Sequence, residues 1–162
     1  MQKATAIFAV EDPEGNCLFI KFTSCYNETA HWLLAREGYA PTLQHFSETI
    51  AESGCFMVVM DQIDGESMFG SSFTKDDLLQ VWKATDLLHQ HNLVHGDLRP
   101  NNIVKPVDGS GVMLVDFDWC AVAGEGTYLL TINSDPICGW HVEVGPGVVM
   151  CKEHDNYLYR GF

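Results

Sequence analysis

Two apolar, β-prone runs open the chain, residues 4–10 and 17–22, separated by Glu11-Asp12-Pro13-Glu14-Gly15-Asn16. A turn segment holding both Pro and Gly between such runs predicts a β-hairpin. Residues 26–37 then place Ala30, Leu33 and Leu34 on one helical face, with Ser24 or Asn27 available as N-cap and Gly38 as terminator. Pro41 ends that segment and 42–46 reads as a short strand. A polar connector, 47–54, leads into the continuous apolar run 55–60, a strand predicted to be buried on both faces. The run breaks into Asp61-Gln62-Ile63-Asp64-Gly65, a polar crossing of the kind that forms a hinge between two lobes.

Thr74 is placed to cap the strongest helix, 75–91. Asp76 and Asp77 occupy its first turn, and Leu78, Val81, Trp82, Thr85 and Leu88 recur at helical spacing as its core stripe. After a polar loop come Ile103-Val104, a turn at 108–111, and a strand over 112–115 that ends in Asp116-Phe117-Asp118-Trp119. Beyond Trp119 the chain is rich in Gly and Pro and lacks strong periodicity. It predicts an irregular surface segment followed by a short helix that starts at 152 or 153 and ends at 160.

Composition sets bounds on this pattern. With 162 residues, 46% hydrophobic and 19% charged, the chain can bury enough apolar surface for one folded unit. A net charge of −13 with only nine Lys and Arg argues against a nucleic-acid ligand, whose phosphates are held by clustered cations. The acidity suits basic partners or metal-bound anions, or serves only to keep the protein soluble. The six cysteines form neither a CxxC pair nor a zinc-spaced His/Cys cluster, so they are expected as reduced, largely buried thiols. Residues 1–10 lack a basic region followed by an apolar run, and no run approaches a membrane span. The expected location is the cytoplasm or another reducing intracellular compartment, with no membrane partner.

Candidate chemistry concentrates in Leu93-Val-His-Gly-Asp-Leu-Arg-Pro-Asn-Asn102. Asp97 and Asn102 stand five residues apart in a loop that Pro100 keeps out of helix. A carboxylate able to accept a proton beside an oxygen ligand for a divalent cation is what phosphoryl transfer requires. Lys21, between Ile20 and Phe22, is either a snorkelling edge lysine or part of this site. Glu28 sits where a helix dipole favours an acid in any case.

A strand with Lys, a helix with Glu, an apolar strand into a hinge, a long helix, an H-x-D-x-x-x-x-N loop and a strand into Asp-Phe follow one another in order. In this the chain resembles the protein kinase superfamily over roughly residues 4–119. The resemblance implies a single α+β domain over 1–162, a reduced two-lobe fold. It would comprise a small antiparallel sheet plus one helix in an N-lobe (about 1–61), a hinge (about 61–65) and a truncated, mainly helical C-lobe (about 66–162). Tyr157 and the residues before it, from Lys152, are similar to a segment in small kinase-like proteins of fungi, which makes Asp155 a candidate for the buried acid that holds the catalytic loop.

The resemblance further implies ATP and Mg²⁺ as cofactors and a hydroxyl-bearing protein or small molecule as acceptor. Lys21 would hold nucleotide phosphates with Glu28 as its partner, Asp97 would take the acceptor's proton, and Arg99 would lie near the transferred phosphate. Asn102 and Asp116 would hold the metal. Met60 would guard the adenine pocket, with the backbone of Asp61 and Ile63 at the adenine edge, and His95 and Phe117 would pack beneath the site.

Three departures qualify these expectations. The first hairpin has only Gly15 where kinases carry a glycine-rich lid, and Gly96 replaces the arginine that pairs with a phosphorylated activation loop. Asp118 stands where the metal motif has glycine. Aminoglycoside phosphotransferases and choline kinases share the His-Gly-Asp loop and often carry an acid in this region, so Asp118 either joins the metal set or is a solvated turn residue. A Ser/Thr-type phosphotransferase is the leading expectation; a small-molecule kinase and a non-catalytic pseudokinase are the alternatives.

Overall fold

The turn between the first two strands closes through Asp12, whose carboxylate accepts the backbone N–H of Asn16, with Gly15 in the left-handed region at φ 88°. Strands β1 (Ala6–Glu11) and β2 (Cys17–Thr23) accordingly pair antiparallel from Glu11↔Cys17 to Ala6↔Phe22. In the computed structural model, residues 6–47 and 54–162 are described. The first two residues of the expected strand 4–10 and most of the expected connector 47–54 lie outside them.

Strands β3 (Leu43–Phe46) and β4 (Phe56–Asp61) complete an antiparallel sheet of order β1-β2-β4-β3. The expectation that 55–60 is buried on both faces needs correction: only Val58 of β4 is fully buried. Alternation along paired strands puts Lys21 and Val58 on one face, towards the rest of the protein, while Ile20, Met57 and Val59 on the other are half covered.

Between β2 and β3 runs α1 (Glu28–Arg36), capped by Asn27, whose side chain accepts the N–H of Ala30 at 2.9 Å. Ala30, His31 and Leu34 are its buried residues. After the crossing at 62–64 come β5 (Gly65–Ser67) and α2 (Lys75–Gln90). Helix α2 starts in a reciprocal capping box between Thr74 and Asp77, and Lys105 places its ammonium 2.9 Å from each Asp77 oxygen. Val81, Ala84, Thr85 and Leu88 form the buried stripe. Trp82, expected in it, is 48% exposed, because it lies about 100° around the helix from Val81.

Strands β6 (Leu93–Val94), β7 (Ile103–Pro106), β8 (Met113–Leu114) and β9 (Ala121–Val122) build two small sheets, of order β5-β7-β8 and β6-β9. A 3₁₀ turn, Pro100–Asn102, precedes β7. The segment after β9 is irregular apart from a second such turn, Pro136–Cys138, and ends in α3 (Lys152–Arg160). Ala30 and Leu34 of α1, Val81 and Leu88 of α2, and Leu98, Ile103, Leu114 and Phe117 share one hydrophobic core. A smaller cluster of Val94, Tyr128, Ile132, Val144 and Met150 anchors the irregular segment. The cysteines are less buried than expected: Cys120 is buried, Cys17 is exposed and the other four are intermediate. Among the described residues no helix is long and apolar enough to cross a membrane.

Burial alone would push the Asp77 carboxyl up, but the bonds from Lys105 and Thr74 outweigh it and hold it below its usual value. A depressed carboxyl contributes stability above the unfolded-state value near pH 4 and loses it as pH falls through the lower folded value. Asp77→Ala is expected to cost roughly 1–2 kcal/mol at neutral pH. Urea denaturation should show the difference from wild type narrowing below about pH 4.

Candidate active site

The loop from His95 to Asn102 is shaped by a single buried carboxylate. Asp155 of α3 is 0% exposed and accepts the backbone N–H of His95 at 2.8 Å and of Gly96 at 3.0 Å. His89 of α2 approaches the same carboxylate at 3.1 Å. Gly96 has φ 77°, and a Cβ there would lie 3.0 Å from the Trp119 carbonyl oxygen, so both conformation and space call for glycine. The replacement of arginine at this position thus has a local packing reason.

Downstream, Arg99 N–H donates to the Asp97 carbonyl at 2.9 Å, and the Asn102 carboxamide donates to the same oxygen at 2.9 Å. With its Nδ2 committed, Asn102 keeps Oδ1 for a ligand. The Asp97 side chain is gripped by Arg99 through Nε to Oδ1 and through Nη2 to Oδ2, the latter at 2.9 Å. The guanidinium in turn lies over Trp140, 4.8 Å from the ring centre.

Lys21 reaches across from β2. Its Nζ donates to Asp116 Oδ1 at 2.6 Å and stands 2.7 Å from Asp118 Oδ1. Thr23, two residues along the same strand face, donates its hydroxyl to Asp118 Oδ2 at 2.9 Å. Burial works against the Lys21 charge, but the two carboxylates outweigh it and raise the ammonium above its ordinary range. Asp116 adopts φ 65°, a left-handed conformation that Asp tolerates better than most residues.

These elements border a cavity of about 440 Å³, a size that suits a small organic ligand. Ile7 and Phe19 of the sheet and Val104 and Val115 from below supply apolar walls, and Met60, Asp61 and Ile63 line it together with Lys21, Asn102 and Asp116. Among the described residues the Ile63 N–H and C=O make no backbone hydrogen bond, which leaves them available to the edge of a planar heterocycle.

Two expected residues stand elsewhere. Among the described residues Glu28 does not pair with Lys21: it is half-buried at the start of α1, accepting from Trp32 Nε1 at 3.3 Å. One turn of helix dipole explains an acid there without a partner lysine. Asp118, expected as a third metal ligand or a solvated turn residue, is 7% exposed and turned onto Lys21 and Thr23 instead. The Lys21 partner thus comes from the Asp-Phe segment and not from the helix. Helix α1 is tied to that segment by Asn27, which donates from its backbone to Phe117 O and from Nδ2 to Cys120 O, both at 3.1 Å.

His31 completes a packed column the sequence pattern did not single out. It stacks on Phe117 at 4.8 Å, and Phe117 meets His95 at 5.6 Å. Its Nε2 lies 2.8 Å from Pro41 O and its Nδ1 2.6 Å from Tyr26 OH, which fits a neutral ring donating from Nε2 and accepting at Nδ1. A histidine at i+3 from Glu28 on an otherwise apolar helix face was the available signal.

No family model matches the chain. Over 108 residues, 61% of the chain, it is 33% identical to the serine/threonine-protein kinase AtPK2/AtPK19 of Arabidopsis thaliana, covering 22% of that protein. Over 134 residues, 76% of the chain, it is 24% identical to a probable myosin light chain kinase of Dictyostelium discoideum, covering 41% of it. The chain therefore spans less than half the length of either relative. Among solved structures it is similar to the Cydia pomonella granulovirus kinase PK-1, with a TM-score of 0.63 and 15% identity over 79% of this chain and 56% of that one. That likeness shows a kinase-like fold, in agreement with the reduced α+β architecture expected.

Burial, with a smaller contribution from the Lys21 charge, pushes His31 down to about 4. The unfolded chain then binds more protons than the folded one between that value and about 6.5, so stability is complete above this window and falls as pH drops through it. Urea denaturation from pH 7.5 to 4 is expected to show a loss of roughly 3 kcal/mol from this residue. His31→Phe should be less stable at neutral pH yet have a shallower slope across the same window.

Proposed function

We propose that the chain, similar in sequence to protein kinases and kinase-like in fold, transfers the terminal phosphoryl group of ATP to a hydroxyl, with Ser or Thr side chains of a protein as the acceptor class. One observation carries this reading: Lys21, Asn102 and Asp116 line one cavity, with Asp97 bonded directly to Asn102 through its main chain.

The apolar walls and the Ile63 main chain suit adenine, with Met60 and Asp61 beside it. Lys21, preset by two carboxylates, offers a fixed ammonium to phosphate oxygens. Ordering that flexible side chain in advance lowers the cost of binding. Asn102 Oδ1 and the Asp116 carboxylate are hard oxygen donors on the cavity wall and fit Mg²⁺. When bound, Mg²⁺ supplies neutralisation of phosphate charge. The acceptor hydroxyl gives its proton to an Asp97 carboxylate oxygen as its own oxygen bonds to phosphorus and the bond to the ADP oxygen breaks. Arg99 holds each Asp97 oxygen through one N–H, which leaves each oxygen a second lone pair for the acceptor hydroxyl and the guanidinium beside it.

Thermal unfolding with ATP tests the binding half of this reading, because a ligand for the native state alone raises the midpoint. ATP with Mg²⁺ should raise it, ATP with chelator should raise it less, and Asp116→Asn should remove the Mg²⁺-dependent part. No shift at millimolar ATP would count against a nucleotide site. For the transfer half, labelled ATP is offered to a basic protein mixture and, separately, to a panel of amino alcohols. Label in protein that is lost in Asp97→Asn supports the acceptor class proposed; label confined to the amino alcohols assigns a small-molecule acceptor.

The rearranged lysine anchor makes its own prediction. Asp118→Asn is expected to raise the KM for ATP about tenfold or more, one lost charge-assisted contact being worth roughly 1.5–3 kcal/mol. Glu28→Gln should leave KM and kcat within a factor of about two, as expected of a residue that makes no bond to Lys21. Steady-state kinetics on the two variants distinguish this arrangement from the helix-borne partner that the sequence resemblance implies.

A further inference from the structure

We propose that His141, Glu143 and His154 form a binding site for a divalent transition-metal ion of the zinc class, separate from the nucleotide cavity. One ligand atom from each of the three side chains lies within 4.8 Å of the others. Two imidazoles and a carboxylate are a donor set that suits zinc, cobalt or nickel better than magnesium or calcium, which prefer oxygen alone.

The chain builds this convergence from two elements. His141 and Glu143 lie in a turn closed by the Val144 N–H donating to His141 O at 2.8 Å, which brings positions 141 and 143 to one side. His154 projects from the first turn of α3 and is 2% exposed. The His141 and His154 rings stand 5.4 Å apart, and Glu143 Oε2 is 3.9 Å from His141 Nδ1. Small rotations of the exposed Glu143 and half-buried His141 bring three donors onto one ion, and a fourth position stays open to water.

The surroundings orient the buried ligand. Tyr128 OH lies 3.1 Å from His154 Nδ1. A hydroxyl can accept as readily as donate, so it can accept a hydrogen bond from Nδ1–H and leave Nε2 for the ion, the arrangement usual behind a metal-bound imidazole. The long contact from the Cys151 N–H to Nδ1, at 3.4 Å, is what this tautomer gives up.

An ion here would staple the irregular segment to α3. Trp140, which packs on Arg99, neighbours one ligand, and Asp155, which holds the His95 and Gly96 amides, neighbours another. The site therefore links both supports of the catalytic loop without touching substrate.

The test uses the full chain, stripped with chelator and titrated with Zn²⁺ and with Co²⁺. The expected result is one ion per chain, a raised thermal midpoint, and a visible Co²⁺ spectrum of a low-coordinate nitrogen and oxygen site without thiolate charge transfer. Glu143→Gln, at an exposed position that does not endanger folding, and His141→Asn should each weaken Zn²⁺ binding at least tenfold while circular dichroism is unchanged. Absence of stoichiometric binding, wild-type affinity in either variant, or a thiolate band that assigns the ion to cysteines would overturn the proposal.

Discussion

The buried ammonium of Lys21 joins parts of the chain 95 residues apart. A lysine so enclosed is unfavourable by itself, and removing either carboxylate leaves a poorly compensated charge. The sheet and the Asp-Phe segment are therefore fixed relative to one another by a charge that must find its partners. The cavity lies between these two elements, so its width and the placement of Asp116 on its wall follow from that constraint. Thr23 and Asp118 extend the same network, and Asn27 binds α1 into it by backbone contacts with Phe117 and Cys120.

A second carboxylate, away from the cavity wall, has the same organising role. Asp155 takes two main-chain amides that a tight loop cannot satisfy internally, and such buried donors cost more to leave unmade than their bonds contribute when made. With His95 and Gly96 fixed, Asp97 and Asn102 can be placed only along the short 3₁₀ turn that follows. The loop's conformation is thus set from outside it, by a residue 58 positions beyond Asp97 in the sequence.

Much of the fold was legible because strong local signals agreed with the tertiary arrangement. The first hairpin, the Asn27 and Thr74 caps, the strand before the crossing and the final short helix all have side chains whose local preference matches their place. The order of motifs also made the gathering of Lys21, Met60, Asp61, Ile63, Asn102 and Asp116 at one cavity readable. What was not legible depended on choices between chemically equal partners. Glu28 and Asp118 are both acids that could in principle meet Lys21, and one-dimensional spacing cannot say which is nearer. Trp82 misled for a related reason: a large ring satisfies a helical period whichever side of the stripe it falls on, and His31 gave no pattern that marks a buried ring. The cluster of His141, Glu143 and His154 spans two elements, one irregular, and has no periodicity to read.

Moving the lysine anchor from helix to Asp-Phe segment changes what controls the site. With a helix-borne partner, the ammonium is correctly placed only when the helix is swung in, so helix position acts as a switch. Here Asp116, which faces the cavity, and Asp118, which anchors Lys21, are two residues apart on one segment and move together. The lysine stays set so long as that segment is set, independently of Glu28. Helix α1 instead couples to the site through the His31–Phe117–His95 column, a stacking contact of rings rather than an ion pair. Gly96 likewise places no side-chain cation beside Asp97. The Asp97 carboxylate is held on its own side by the Arg99 clamp, which Trp140 buttresses.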